Sequence, residues 1–199
     1  MADLRDARVL VMLSGGIDST GLLWQLLNKN EKIHVHHMNL KNRELRDAAE
    51  SIAVSNILDY CKKFVDFTHS ESTHEYPSFY NKMMWDTDII SFMSGMVCQL
   101  MPWIKEVAIG MTKTDFNDSS INTRVERANN VFNAMCEATK VYPLKDMTKR
   151  EVWDLMPKEL QALTWSCRTP VYGANVISVC GKCKSCKELN DAGIKIPNN

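Results

Sequence analysis

Residues 7–29 (ARVLVMLSGGIDSTGLLWQLLNK) constrain what this chain can fold into more than any other stretch. The apolar, partly β-branched run from Ala7 to Leu13 suits a strand covered on both faces of a parallel sheet. It breaks at Ser14-Gly15-Gly16-Ile17-Asp18-Ser19. Leu22, Leu23, Leu26 and Leu27 then recur at the three- and four-residue steps of a helix face. Two adjacent glycines let the main chain approach an anion closely, because no Cβ stands in the way. The helix beginning near Asp18 turns its unpaired N–H groups and positive dipole end toward the same place, and Ser14 and Ser19 add hydroxyls. Strand, turn and helix together describe a polyphosphate site. The turn lacks the Gly-Lys-Ser/Thr ending of a Walker loop and is not a Gly-x-Gly-x-x-Gly dinucleotide turn.

The remainder reads as one α/β domain over residues 1–199. A chain of 199 residues with 45% hydrophobic content can bury a full core. Its 24 basic and 24 acidic residues cancel, which argues against direct nucleic-acid binding. The polar start and the lack of a long apolar run argue against a membrane partner and place the protein in the cytoplasm. Strands are expected at 32–39 (KIHVHHMN), 64–69, 106–111 and 141–144. Met38 and Asn39, at the end of the second strand, are candidates to meet the adenosine part of a nucleotide. His34, His36 and His37 read as hydrogen-bonded core residues, since His34 and His36 share a face with no third ligand. A packing helix is expected from Arg43 to about Tyr60, with Leu45, Ala48, Ala49 and Ile52 on its inner stripe. A long loop is expected over 70–88, and an apolar core helix over 89–101. The polar run after Gly110 lies where an α/β enzyme places substrate groups, so Lys113, Asp115 and Asp118 are candidates, with Arg124 just beyond. Thr148 and Glu151 have capping-box spacing, and Lys149 behind them is within reach of a phosphate.

The second strong motif is Cys167 followed by Cys180-Gly181-Lys182-Cys183-Lys184-Ser185-Cys186. Cys-x-x-Cys-x-x-Cys supplies three soft ligands from one tight turn, and Cys167 completes a tetrahedral set. Spacing alone fits zinc or an Fe–S cluster. The other three cysteines, Cys61, Cys98 and Cys136, read as inert core thiols.

SGGIDS resembles the PP-loop, Ser-Gly-Gly-x-Asp-Ser, of the ATP pyrophosphatase superfamily. Joined to Ser166-Cys167 and CGKCKSC, and to the Tyr142-Pro143-Leu144 through Val152 step, it resembles the 7-cyano-7-deazaguanine synthase family over most of the chain. The resemblance implies a three-layer α/β/α PP-loop fold (adenine nucleotide alpha hydrolase-like) with a parallel sheet, a C-terminal zinc-binding segment at 163–193, and a homodimer. It implies zinc at Cys167, Cys180, Cys183 and Cys186, and ATP with Mg²⁺ at Ser14, Gly15, Gly16, Asp18 and Ser19. It further implies an adenylating carbon–nitrogen ligase that uses ammonia to turn the carboxylate of a deazaguanine into a nitrile. In that scheme Asp18, Lys149, Lys113 and Asp115 are catalytic, and Asp115, Asp118 and Arg124 meet the substrate.

The chain departs from the family where the base is recognised. Met38-Asn39-Leu40-Lys41-Asn42-Arg43 stands in place of Tyr-Gly-Gln-Arg-His. Asp86-Thr87-Asp88-Ile89 replaces Pro-x-Arg-Asn, and Asn117 to Asn122 replaces Tyr-Pro-Asp-Cys-Arg. A PP-loop enzyme acting on another base or acid, by amide formation or sulfur transfer, and a non-catalytic ATP-binding module are the alternatives.

Overall fold

The computed structural model describes residues 3–75, 85–174 and 176–195. A 3-10 turn at Leu4–Asp6 leads into β1 (Val9–Met12) and α1 (Ile17–Asn28). Then follow β2 (Ile33–Lys41), α2 (Asp47–Cys61), β3 (Thr68–Glu75), α3 (Asp86–Leu100) and β4 (Glu106–Ala108). The chain continues through α4 (Lys113–Asn117), α5 (Ser119–Met135), β5 (Thr139–Val141), α6 (Lys149–Leu155) and α7 (Lys158–Gln161). A two-stranded antiparallel hairpin, β6 (Val171–Tyr172) and β7 (Ile177–Ser178), and α8 (Lys184–Asp191) complete it.

Five parallel strands form one sheet in the order β3-β2-β1-β4-β5. The order reverses between β1 and β4, and in open parallel sheets the crevice at such a reversal receives the ligand. Strand β1 is buried along its whole length, as its unbroken apolar run requires. One core, built on Leu22, Leu23, Ala53, Ile57 and Val152, fills the side of α1, α2 and α6. A second, built on Leu10, Met38, Val97 and Phe132, fills the side of α3 and α5. Helices on both faces of the sheet make the three layers.

Several expectations change. Strand β3 begins later than the sequence suggests and takes in residues 70–75, while α3 begins at Asp86; of the loop expected over 70–88, residues 76–84 lie outside those described. The reason is chemical: β3 has no apolar face. Its half-buried side carries Thr68, Ser70, Ser72 and His74, which answer the histidines of β2. His34 lies 2.8 Å from Thr68 and from Ser70, His36 lies 2.8 Å from Ser70 and from Ser72, and His74 reaches the same Ser72 at 2.8 Å. His37, on the opposite face, bonds the Leu13 carbonyl at 2.9 Å and the Ser51 hydroxyl at 3.2 Å. All three β2 histidines are thus hydrogen-bonded core residues.

Helix α2 starts at Asp47 rather than Arg43, and this turns its face. Leu45 and Ile52 are exposed, and the inner stripe is Ala49, Glu50, Ala53, Val54, Ile57, Leu58 and Cys61. The small residues let α2 press on the glycine turn. A Cβ on Gly15, whose φ is +77°, would stand 3.1 Å from the Ala53 Cβ and 3.3 Å from the Glu50 carbonyl oxygen. The polar run after Gly110 forms the short helix α4 leading into α5, which begins at Ser119 ahead of Arg124. Strand β2 runs on to Lys41, so Met38 and Asn39 lie inside it, and β5 occupies 139–141 with Leu144 buried beyond it.

Candidate nucleotide and metal sites

The turn after β1 is held in shape by its own hydroxyls. Ser19 Oγ accepts from the Ser14 N–H at 3.2 Å, lies 3.0 Å from Ser14 Oγ and donates to the Gly16 carbonyl at 3.2 Å. Gly16 is the N-cap of α1 and has no side chain to cover the helix end. On the other side of the crevice, Gly110 follows β4 so closely that a Cβ there would fall 2.8 Å from Asp18 C and Ser19 N. That position admits only glycine without a shift of the backbone at the start of α1.

Asp18 projects from the first turn of α1, and its Oδ2 accepts from Lys149 Nζ at 2.8 Å. Lys149 is presented by the first turn of α6, whose N-cap is the capping box foreseen from Thr148 and Glu151. A second carboxylate, Glu188 on α8, stands 3.9 Å from the same ammonium. Burial raises the Asp18 carboxyl above the usual carboxylate range, against the pull of Lys149. Burial alone would discharge Lys149, but Asp18 holds it charged. The other oxygen, Asp18 Oδ1, is buried with no hydrogen-bond partner. An orphaned carboxylate oxygen beside a phosphate-type turn is the hard oxygen ligand that Mg²⁺ takes.

The surrounding cavity, about 190 Å³, is lined by Ser14, Gly16, Asp18, Ser19, Gly110 and Lys149 among others. It is smaller than the roughly 300 Å³ at which ligand pockets ordinarily begin. Its volume suits a phosphate-sized group rather than a whole nucleotide.

The other residues named from sequence are distributed as follows. Asp115 spends its Oδ2 on the Thr112 N–H and hydroxyl, at 2.8 and 3.0 Å, capping α4, yet its charge is felt by both Asp18 and Lys149. Lys113 is exposed and lies close enough to Glu151 to act on its charge. Asp118 faces Lys184 at 3.5 Å, and the Arg124 guanidinium lies over the Trp85 ring at 4.2 Å. Met38 is buried in the second core, and Asn39 Oδ1 is a buried oxygen with no hydrogen-bond partner.

Three pocket residues carry no sequence signal of their own: Arg46, Glu50 and Arg168. Arg46 lies 2.8 Å from Glu44 and 2.7 Å from Glu50, and also pairs with Asp86. Arg168 meets Glu44 through Nε at 2.9 Å and Nη2 at 3.0 Å, and Asp86 through Nη2 at 3.0 Å. Burial pushes Glu50 up to about 7, with Arg46 opposing.

The four cysteines named from sequence converge. Cys167, Cys180, Cys183 and Cys186 have all their sulfurs within 4.8 Å of one another. Tetrahedral zinc, with Zn–S of about 2.3 Å, sets sulfurs about 3.8 Å apart, so the set fits the ion. Backbone N–H groups point at the sulfurs, from Cys180 to Cys167 and from Cys183 to Cys180 at 3.3 Å, and from Arg168 to Cys183 at 3.5 Å. Such bonds stabilise bound thiolate. Cys61 and Cys98 are buried helical thiols as expected, whereas Cys136 lies just past α5 and is half-buried.

A five-stranded parallel sheet with a glycine phosphate turn at its reversal and a four-cysteine knot beside it defines a PP-loop-like α/β protein of the ATP-using type. The structure of NMN synthetase from Francisella tularensis has the same fold, with a TM-score of 0.51 and 12% identity over 96% of this chain and 74% of that one. The family described as Queuosine biosynthesis protein QueC matches residues 89–195, just over half the chain, and the chain belongs to that family. No curated protein matches it significantly. No helix among the described residues is long and apolar enough to cross a membrane.

Proposed function

We propose that this chain is an ATP-dependent ligase of deazaguanine biosynthesis. It adenylates the carboxylate of 7-carboxy-7-deazaguanine and, with ammonia, converts it through the amide to 7-cyano-7-deazaguanine, releasing AMP and pyrophosphate. The observation that carries the reading is the Asp18–Lys149 pair with its orphaned oxygen, set in the SGGIDS turn of a family member.

In this scheme Gly15, Gly16 and the start of α1 receive the phosphates, with Ser14 and Ser19 holding the turn. Asp18 would hold Mg²⁺, which supplies charge neutralisation on the phosphates. Lys149 turns its ammonium toward the oxygens on which charge grows as pyrophosphate departs, with Lys113 and Asp115 setting the field around it. The unsatisfied Asn39 oxygen suits an exocyclic amino group of adenine, while Met38, on the opposite face of β2, packs into the second core. A substrate carboxylate oxygen attacks the α phosphorus, and the bond to pyrophosphate breaks. Ammonia then bonds to the acyl carbon, loses a proton, and AMP leaves with the C–O electron pair. The amide oxygen repeats the attack on a second ATP. Loss of AMP and of two protons from nitrogen leaves the nitrile. No side-chain nucleophile is required, so catalysis rests on positioning and charge. Zinc at the four cysteines is structural, since four protein ligands leave no open position. A single domain over 1–199, a homodimer, cytoplasmic location and substrate contacts from Asp115, Asp118 and Arg124 belong to the same proposal.

The test is mass spectrometry of the zinc-loaded protein with ATP, Mg²⁺, ammonium and 7-carboxy-7-deazaguanine. Nitrile with AMP supports the assignment, and amide alone limits it to the first half of the chemistry. ATP cleavage only with a different acid, or no cleavage, overturns it.

A further inference from the structure

The pocket has two separate groups of charges. Beyond burial itself, the charges that act on Asp18 are Lys149, Asp115 and Glu188. Around Glu50, they are Arg46, Asp86, Arg168 and Glu44. The first group adjoins the phosphate turn. The second forms another wall of the same cavity, reached through Arg46, Glu50 and Arg168, while Glu44 and Asp86 stand behind the guanidiniums and do not line the cavity. Carboxylates that pair with a guanidinium from the rear fix the direction of its remaining N–H groups.

The two arginines differ in what remains to them. Arg46 faces a carboxylate at every nitrogen, Nε at Glu44, Nη1 at Glu50 and Nη2 at Asp86, and its Nε, which makes no hydrogen bond, is buried out of a ligand's reach. Arg168 engages Glu44 and Asp86 through Nε and Nη2 only, so among the described residues Nη1 has no acceptor. That nitrogen belongs to a pocket-lining, partly exposed side chain. We propose that Arg168 is the acid-recognition residue of this pocket, its Nη1 edge receiving the carboxylate of a planar aromatic acid while Glu44 and Asp86 hold it in place.

The inference rests on assigning the phosphate turn to ATP, which puts the second reactant at the other wall. A carboxylate bound there is the nucleophile that must meet the α phosphate. Three carboxylates against two guanidiniums would leave the wall unfavourable to an anion, but Glu50, pushed up to about 7, relieves this by accepting a proton. Arg168 is also placed by its own backbone, whose N–H bonds Cys183 Sγ, so the cysteine knot sets how far the side chain reaches.

The experiment is calorimetric titration of zinc-loaded wild type and R168Q. Each is titrated first with Mg²⁺ and an ATP analogue non-cleavable between the α and β phosphates. The probes 7-carboxy-7-deazaguanine, its neutral 7-carboxamide and indole-3-carboxylate follow. R168Q is expected to bind the nucleotide as wild type does and to lose roughly ten- to a hundredfold in affinity for the carboxylates, the worth of one charge-assisted hydrogen bond. Its affinity for the carboxamide stays unchanged. Zinc content and melting temperature are checked first; if R168Q loses zinc, R168K carries the test, with a severalfold loss confined to the carboxylates. Equal weakening of carboxylate and carboxamide, weakening of the nucleotide, or wild type that binds no carboxylate overturns the inference. Wild type that binds indole-3-carboxylate in an Arg168-dependent way but not the deazaguanine acid overturns the proposed substrate and leaves Arg168 in its role.

Discussion

The backbone N–H of Trp165 donates to the carbonyl of Gly15 across 2.8 Å, tying the segment that precedes the cysteine knot to the middle of the phosphate turn. The next three residues continue the connection. Ser166 Oγ accepts from the Ile17 N–H at 3.2 Å, Cys167 is one of the four clustered thiols, and Arg168 reaches Glu44 and Asp86. Four consecutive residues thus join the metal site to both walls of the pocket.

Stripping the metal should therefore weaken nucleotide binding, although no cysteine lines the phosphate turn. Chelated protein, or C167S, is expected to lose about tenfold or more in affinity for a non-cleavable ATP analogue, since site order is coupled to metal-linked folding. Zinc should restore the chelated wild type but not C167S. Nucleotide affinity that ignores zinc content would separate the two sites.

Lys149 and Asp18 should fail together in catalysis but differently in stability. D18N and K149M are each expected to lower ATP turnover by roughly a hundredfold or more, as removal of a charge aimed at a transition state does. K149M also strands a buried carboxylate and should cost about 1–3 kcal/mol in urea unfolding. D18N, which leaves a neutral amide beside the lysine, should cost less. Steady-state kinetics and denaturation on the same preparations check both.

G110A tests the close approach of the two strands at the sheet reversal. The added carbon would meet backbone atoms of Asp18 and Ser19, which cannot swing aside as a side chain can. We expect about 1–3 kcal/mol of destabilisation and loss of nucleotide binding in whatever remains folded. A fully stable, binding-competent G110A would show the turn to be more compliant than its contacts indicate.

Acid should unfold the protein through β2. Burial lowers His34 and His36 from 6.5 to about 4. Between those values the unfolded chain takes up protons that the folded chain refuses, so the contribution of the two histidines is full above pH 6.5 and is lost as pH drops toward 4, offset in part by Glu50, whose carboxyl, raised to about 7, gains a proton on folding over the same range. Urea midpoints at pH 7.5, 6 and 5 should decline in that order. S70A, which removes the hydroxyl between the two rings, should cost about 1–3 kcal/mol at pH 7.5.

What could be read from the sequence was local. The phosphate turn lies within one continuous stretch, and three of the four thiols fall within seven consecutive positions, so their geometry follows from short-range spacing. The Thr148–Glu151 cap is of the same kind. The acid-facing wall was hidden because Arg46 and Glu50, one turn apart at the start of α2, meet Arg168 of the C-terminal segment only through the tertiary fold. Strand β3 was placed too early, at 64–69, because its inward positions carry hydroxyls, the complement of buried histidines rather than of an apolar layer. The stripe of α2 was misplaced by the exposed Leu45 and Ile52, while Ala53, which packs against Gly15, gives a weak hydrophobic signal.

The β2–β3 ladder has one more property. From Thr68 to His74 the groups alternate between hydroxyl and imidazole, and a neutral imidazole that gives at one nitrogen receives at the other. If the Ser70 and Ser72 hydrogens stay within the row, each serine must take from one ring and give to the next, which leaves two consistent settings, with the Thr68 hydrogen inside the row in one and outside it in the other. In one, all the hydrogens point toward the end of the strands nearer the nucleotide site. In the other, all point away. Changing from one to the other requires His34 and His36 to exchange tautomers together and His74 Nε2 to change between accepting and donating, so Thr68 at one end of the row shares a single polarity with His74 at the other.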